Sequence, residues 1–210
     1  MAGVHGQRTF FDLWSRSYDL PLVQAAVYRP VQQAVLQALG DHQPSDLLDV
    51  GCGTGIFTAR AAERLSDTRV VGSDFSGGML RRASHRTAPA HWVQADALHL
   101  PFRDQTFGAV TCTEAFHWFP DQAEALREMH RVLTPGGLLA LALIHPATHE
   151  LANLLAGWMR FTGYRAHWPT RNEMREMATA AGFFIENQQH VRRLPSGLLL
   201  PAILTLARRP

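Results

Sequence analysis

The stretch Leu47-Leu48-Asp49-Val50-Gly51-Cys52-Gly53-Thr54-Gly55 constrains this chain more than any other. A short apolar run leads into a turn with glycine at every second position, and a helix-forming run over residues 56–65 follows at once. Glycine takes φ > 0 without steric cost and lets backbone approach a ligand closely. A buried strand that feeds such a turn and then a helix is the opening of a β/α unit, which has to be completed by further strands beside it.

The rest of the chain supplies them. Residues 69–73 predict a second strand and 78–85 a second helix; 91–95 predict a third strand and 107–112 a fourth. Residues 121–133 predict an amphipathic helix with Ala125, Met129, Val132 and Leu133 along one side. Residues 137–144 are nearly all apolar, as befits a strand covered on both faces. Such alternation implies parallel strands in a doubly wound α/β sheet. Upstream, residues 8–39 read as helical, with Val23, Val27, Val31, Val35 and Leu39 recurring at i+4 and Pro30 as a point of kink or division. Downstream, residues 170–181 predict a helix stopped by Gly182. Residues 183–193 and 198–208 predict two strands, and Leu194-Pro195-Ser196-Gly197 is a join short enough for an antiparallel hairpin.

The acid before the first glycine narrows the ligand. A dinucleotide fingerprint reads GxGxxG and sets a pyrophosphate on a helix N-terminus. Here the pattern is DxGxGxG, and a carboxylate suits a ligand carrying an ammonium group better than a pyrophosphate. Alone, the turn is a weak signal, with a tight strand-to-helix connection as its alternative. Asp74, at the end of the second strand, could be a turn or helix-start residue; it could also accept from both hydroxyls of a ribose. Taken with residues 49–55, the ligand reading is the stronger.

Other classes are disfavoured. Hydrophobic residues make up 46% and charged residues 18% of the 210, a globular balance. A net charge of +2 is too mild for the basic stripe of a nucleic-acid binder. All 20 basic residues are arginine, so no lysine is present to form a Schiff base. Cys52 and Cys112 form neither a CxxC pair nor a cluster with histidine, so no metal site or disulfide framework is expected, and two unpatterned thiols fit a reducing cytoplasm. The start shows no cationic-then-apolar leader pattern, and the apolar stretch 198–207 is too short to span a bilayer.

Several stretches together resemble class I methyltransferases that use S-adenosyl-L-methionine (SAM), of the broad group that includes quinone-biosynthesis C-methyltransferases. Residues 47–55 resemble the first motif of that family and Val70-Val71-Gly72-Ser73-Asp74-Phe75-Ser76-Gly77-Gly78-Met79-Leu80 the second. Asp96-Ala97-Leu98-His99-Leu100-Pro101-Phe102 with Phe107-Gly108-Ala109-Val110 resembles the third. Ala125-Leu126-Arg127-Glu128 through Val132-Leu133-Thr134-Pro135-Gly136-Gly137 resembles the fourth, and Phe11 to Asp19 resembles the family's N-terminal helix. The resemblance implies a Rossmann-like, seven-stranded, mostly parallel sheet in the order 3-2-1-4-5-7-6, with strand seven antiparallel. It implies one domain, with residues 1–40 a helical cap, 45–145 the cofactor-binding core and 171–210 the last helix and hairpin; residues 146–170, which match nothing in the family pattern, are a candidate lid over the acceptor on their own composition.

The same resemblance implies site roles. Gly51, Cys52 and Gly53, with Asp49 behind them, would hold the methionine part of SAM, and Asp74 the ribose. Phe75 and Met79 would flank the adenine, ordinary core residues being the even alternative. Asp96 would accept from the adenine amino group beside the backbone of Ala97; Thr113 would line the cofactor by its backbone; Tyr18 would close over it, or simply pack on its helix. The product would be S-adenosyl-L-homocysteine (SAH). Methyl transfer from a sulfonium is an in-line displacement that needs alignment more than acid/base help, so no catalytic residue is assigned. His117 and His145 are candidates for acid/base work, with a structural histidine and a loop residue as their favoured readings. Trp158, Met159, Phe161, Tyr164, His167 and Trp168 make the 145–169 segment either a helix on the sheet or a lid over a small apolar or aromatic acceptor. Arg160 and Arg165 could meet an anionic acceptor, or simply be solvated. A SAM-binding module without transferase activity and a nucleotide-dependent oxidoreductase are the alternatives.

Overall fold

The computed structural model describes residues 28–144, 166–191 and 202–210. Their elements in chain order are α1 (Arg29–His42), β1 (Asp46–Val50), α2 (Ile56–Arg64), β2 (Arg69–Asp74), α3 (Gly77–Ala83), β3 (Ala90–Gln94), β4 (Phe107–Thr113), a 3-10 turn (Phe116–Trp118), α4 (Gln122–Val132), β5 (Leu133–Ile144), α5 (Arg171–Ala180), β6 (Phe184–Val191) and β7 (Ala202–Arg208).

The strands form one sheet in the order β3-β2-β1-β4-β5-β7-β6. β1 pairs in parallel with β2 and β4, β2 with β3, and β4 with β5; β7 is antiparallel to both β5 and β6. This is the seven-stranded mixed sheet with an antiparallel C-terminal hairpin that the resemblance implied. The order reverses between β1 and β4, and open sheets of this kind bind ligands beyond the carboxyl ends of strands at such a reversal.

Period-2 alternation sorts the strands into two core layers. Leu47, Ala109, Leu138, Ala140 and Ala142 face α1 and α2, meeting Val31, Val35, Leu39, Phe57 and Ala61. Leu48, Val110, Leu139, Leu141 and Leu143 face the other way, toward Leu126, Met129, Met174 and Ala178 on α4 and α5. Each wholly buried leucine contributes about 1.5–3 kcal/mol of apolar burial. The Val31, Val35, Leu39 part of the i+4 row is fully buried, and Pro30 lies in the first turn of α1, where its missing N–H leaves no bond unmade. Val23 and Val27 lie outside the described residues.

Several boundaries differ from the sequence expectation: α1 runs on to His42 and α3 ends at Ala83. β5 begins at Leu133, because Leu133 pairs with Phe107 before an irregular step to Leu138 opposite Ala109. Gly136 takes φ +75 within that step, and the Arg209 side chain donates to the carbonyls of His130, Arg131 and Leu133, which the end of α4 leaves open. β7 is described from Ala202, and the expected turn 194–197 and residues 198–201 lie outside the described residues. α5 starts on a capping box: Thr170 Oγ1 accepts from the Glu173 N–H, and the Glu173 carboxylate accepts from the Thr170 N–H.

Candidate functional site

At the reversal, the turn after β1 is tied to the end of β2. The N–H groups of Gly51 and Cys52 both donate to the Ser73 carbonyl, at 2.8 and 2.9 Å. Gly53 N–H donates to Asp74 Oδ2 and Ser76 N–H to Asp74 Oδ1, each at 2.8 Å. Gly51, Gly53 and Gly55 have φ of +73, +56 and +74, so all three occupy the left-handed region that penalises a side chain. Their surroundings differ. A Cβ on Gly51 would lie 2.3 Å from the Ala115 Cβ, and one on Gly55 would lie 2.4 Å from the Trp92 ring. A Cβ on Gly53 would meet nothing within 4 Å. Gly51 and Gly55 are therefore required by neighbouring protein, whereas Gly53 presents backbone to open space.

Asp49 lies beneath this turn, wholly buried, and accepts from Thr58 Oγ1 at 2.6 Å and Thr111 Oγ1 at 2.9 Å. Burial pushes its carboxyl up to about 7; the two hydroxyls pull it down and the nearby Asp74 charge adds to the rise. Burial also raises Asp74, against the two N–H groups that favour its charged form. Both oxygens of Asp74 are thus oriented by backbone at the mouth of the turn, and the carboxylate is half-buried.

The other sequence candidates distribute around this point. Met79 is buried in the first turn of α3, where its N–H donates to the Ser76 hydroxyl, and Phe75 is half-buried beside Asp74. Asp96 is exposed just past β3; its Oδ1 accepts from the Leu98 N–H, and Ala97 next to it is buried. The preceding Ala95 N–H donates to the Asp74 carbonyl, which brings the Asp96 turn to the end of β2. Thr113 is half-buried at the carboxyl end of β4, where Glu114 at φ +62 turns the chain toward Ala115. Cys52 and Cys112 are buried free thiols whose pKa values burial raises well above normal, so neither is a thiolate nucleophile. Tyr18, His145, Arg160 and Arg165 lie outside the described residues, as does the 145–165 part of the expected lid.

His117 has the structural setting. It is 8% exposed, its ring stacks on Trp168 at 5.1 Å and 17°, and Trp118 lies 4.7 Å away. Burial lowers its pKa to about 3, so it is neutral near pH 7. The His167 N–H donates to the His117 carbonyl, and Gln122 Nε2 donates to the carbonyls of Phe116 and His167. These contacts pin the chain ahead of α5 onto the turn after β4.

Sequence reasoning missed Thr58, Thr111 and Ala115. Thr111 had a readable signal: a hydroxyl in the middle of a strand whose flanking Val110 and Cys112 are wholly buried. Among the described residues, no three His, Cys, Asp or Glu side chains are grouped to hold a metal ion, and no helix is long and apolar enough to cross a membrane.

Comparison with known proteins adds to this geometry. The model of a methyltransferase domain matches residues 48–141. A malonyl-[acyl-carrier protein] O-methyltransferase of Dechloromonas aromatica is 38% identical over 176 residues, covering 83% of this chain and 64% of that protein. A demethylmenaquinone methyltransferase of Thermus thermophilus is 34% identical over 168 residues, covering 68% of this chain and 76% of that protein. The chain spans only about half to two thirds of the length of the curated relatives that match first. In fold, a SAM-dependent methyltransferase structure from Thermotoga maritima superposes with a TM-score of 0.77 at 20% identity, over 95% of this chain and 98% of that one. The glycine turn at the strand-order reversal, the sheet order and these relatives agree: the chain belongs to the class I SAM-dependent methyltransferase family.

Proposed function

We propose that this chain transfers the methyl group of SAM to a small acceptor, apolar or aromatic in character. The observation that carries the reading is Gly53. It is a left-handed glycine with open space where a side chain would be, and its N–H is fixed on Asp74 at the carboxyl ends of β1 and β2. That is a cradle for a ligand's backbone-sized approach and a carboxylate for its ribose.

In this reading Gly51, Cys52 and Gly53 take the methionine part, with the Asp49 charge below. Asp74 accepts from the ribose hydroxyls. Phe75 and Met79 bound the adenine, Asp96 and the backbone of Ala97 meet its edge, and the backbone of Thr113 lines the far side. Tyr18 and residues 145–165, for which the sequence offers a closing and a covering role beside simple packing, lie outside the described residues. Bound SAM supplies a methyl group on a sulfonium, already a strong electrophile. The protein's work is to align the acceptor with it and keep water out. A neutral His117 with a pKa of about 3 is too weak a base for proton removal near pH 7, so an acceptor that must lose a proton needs another residue. The two buried thiols suit a reducing cytoplasm.

The named acceptors of the relatives suggest the first substrates to try: a demethylmenaquinone analogue and malonyl-acyl-carrier protein. Calorimetry with SAM and with NAD, followed by measurement of SAH release on these acceptors and on pooled small molecules, tests the reading. Micromolar SAM binding with SAH release supports it. Tight NAD binding without SAM binding overturns it, and SAM binding with no SAH release on any pool favours a binding module.

A further inference from the structure

The turn that carries Asp96 is held from behind by two charged side chains of α4. Glu128 and Arg131 form a two-bonded pair: Arg131 Nε donates to Glu128 Oε1 at 2.7 Å and Nη2 to Oε2 at 2.8 Å. Both are half-buried, and the guanidinium holds the Glu128 carboxyl below its ordinary range, so the pair is ionised at neutral pH. Its other bonds go mostly to backbone. Glu128 Oε2 accepts from the Leu100 N–H at 2.7 Å. Arg131 donates to the Leu100 carbonyl at 3.0 Å, to the Phe102 carbonyl at 2.8 Å and to Asp104 Oδ1 at 2.7 Å.

The front of the same turn is fixed to the sheet. Gln94 pairs with Asp74 in the β2–β3 register and the Ala95 N–H donates to the Asp74 carbonyl, so Asp96 emerges beside the end of β2. Within the turn, the His99 N–H donates to the Asp96 carbonyl and the Leu98 N–H to Asp96 Oδ1, both at 3.0 Å. The acid is thus oriented by backbone two residues on. Leu98 in turn lies between a front end held by β2 and a back end held by Glu128 and Arg131. Apolar packing alone would fix this stretch less sharply. Leu100 is buried and Phe102 meets Phe107 edge-on at 5.0 Å, but such burial carries no direction. Charge-assisted bonds to both the N–H and the carbonyl of Leu100 do.

We propose that Glu128 and Arg131 are positioning residues for the base of the cofactor: by fixing the back of turn 96–100 they aim the Asp96 carboxylate and the Ala97 backbone, and so set the preference for adenine over a base with oxygen in place of the amino group. The inference rests on the SAM-binding reading proposed above, in which Asp96 and Ala97 meet the adenine edge. In that reading neither Glu128 nor Arg131 touches the ligand. A hydrogen bond from the adenine amino group to Asp96 weakens steeply once its angle departs from linear. Loosening the turn therefore removes the base-specific part of the affinity. The part supplied by Asp74 and the glycine turn stays, because their bonds to each other involve neither α4 residue.

The test is calorimetry of the full chain with SAH and with S-inosyl-L-homocysteine, which carries oxygen where SAH has the adenine amino group. The wild type should prefer SAH by at least about tenfold, the range for a charge-assisted hydrogen bond. Arg131→Met keeps the apolar stem and removes every donor; it should lower that preference by at least about threefold. Arg131→Lys, which restores the charge but not the planar fork, should recover part of it. Glu128→Gln should also lower it, and decides the matter should Arg131→Met not fold. A role in stability alone would weaken both ligands alike and leave the ratio unchanged. An unchanged ratio in the folded variants overturns the inference and leaves the SAM reading standing. Equal binding of the two ligands by the wild type overturns it as well, since there would be no base contact to aim. Binding of neither ligand to the wild type overturns both.

Discussion

Replacing Gly53 by alanine separates the stability of the glycine turn from its function. An alanine at φ +56 costs about 1–2 kcal/mol from its left-handed backbone alone. No contact penalty adds to this, because the new Cβ meets nothing within 4 Å. For a domain of this size the loss corresponds to a fall in Tm of roughly 2–8 °C. Gly136→Ala is the matched control: φ is +75, and its Cβ also meets nothing within 4 Å, but Gly136 lies in the irregular first part of β5 rather than at the turn after β1. Denaturant unfolding should therefore show two similar, modest losses. Titration calorimetry should show SAM affinity down at least about tenfold, ~1.4 kcal/mol, for Gly53→Ala and unchanged for Gly136→Ala. Gly51→Ala, with its Cβ 2.3 Å from the Ala115 Cβ, should destabilise more than either. A folded Gly53→Ala protein that binds SAM as tightly as the wild type would refute the reasoning, since the open side of the turn would then not be the ligand side.

Asp74→Ala should weaken SAM binding by about 1.5–3 kcal/mol, the range for a lost charge-assisted hydrogen bond; unchanged affinity in a folded variant would mean the ribose lies elsewhere. His117 adds an acid limit to stability. Its folded pKa of about 3 lies below the ordinary 6.5, so its contribution is complete above pH 6.5 and is lost as pH falls toward 3. His117→Phe should lose less stability than the wild type between pH 7 and 4, by up to roughly 3 kcal/mol in denaturant melts. Asp49, raised from 3.8 to about 7, works in the opposite sense over that range, so each variant is compared with wild type at the same pH. Thr170→Ala, which breaks the capping box of α5, should cost about 1 kcal/mol without changing SAM affinity, read by the same two methods.

Much of the architecture was legible because its causes are local. The glycine turn announces itself by composition, and the short apolar runs of residues 107–112 and 137–144 read as strands covered on both faces. Asp121 and Thr170 read as helix starts, and each caps its helix by accepting from a backbone N–H three residues on. The start of β5 was misjudged because its first residues pair through an irregular step opposite Phe107, and nothing in Thr134-Pro135-Gly136-Gly137 signals strand. The order of the strands came from family resemblance; periodicity contains no information on which strand lies beside which.

From sequence alone, then, came the alternation of strand and helix, the left-handed glycines and the acids at the ends of two strands, all short-range properties of backbone and side-chain chemistry. Tertiary structure decided what those acids do. Thr58 lies 9 residues from Asp49 and Thr111 lies 62 away, yet both reach one carboxylate, the first because α2 packs back over β1 and the second because β4 is laid beside it. Ala115 presses on Gly51 because β4 lies beside β1, and Trp168 reaches His117 because the His167 N–H and Gln122 tie the chain ahead of α5 to the turn after β4. Burial and neighbours, which depend on sheet order, convert Asp49 from an ordinary surface-like acid into one that titrates near 7 and His117 into one that stays neutral.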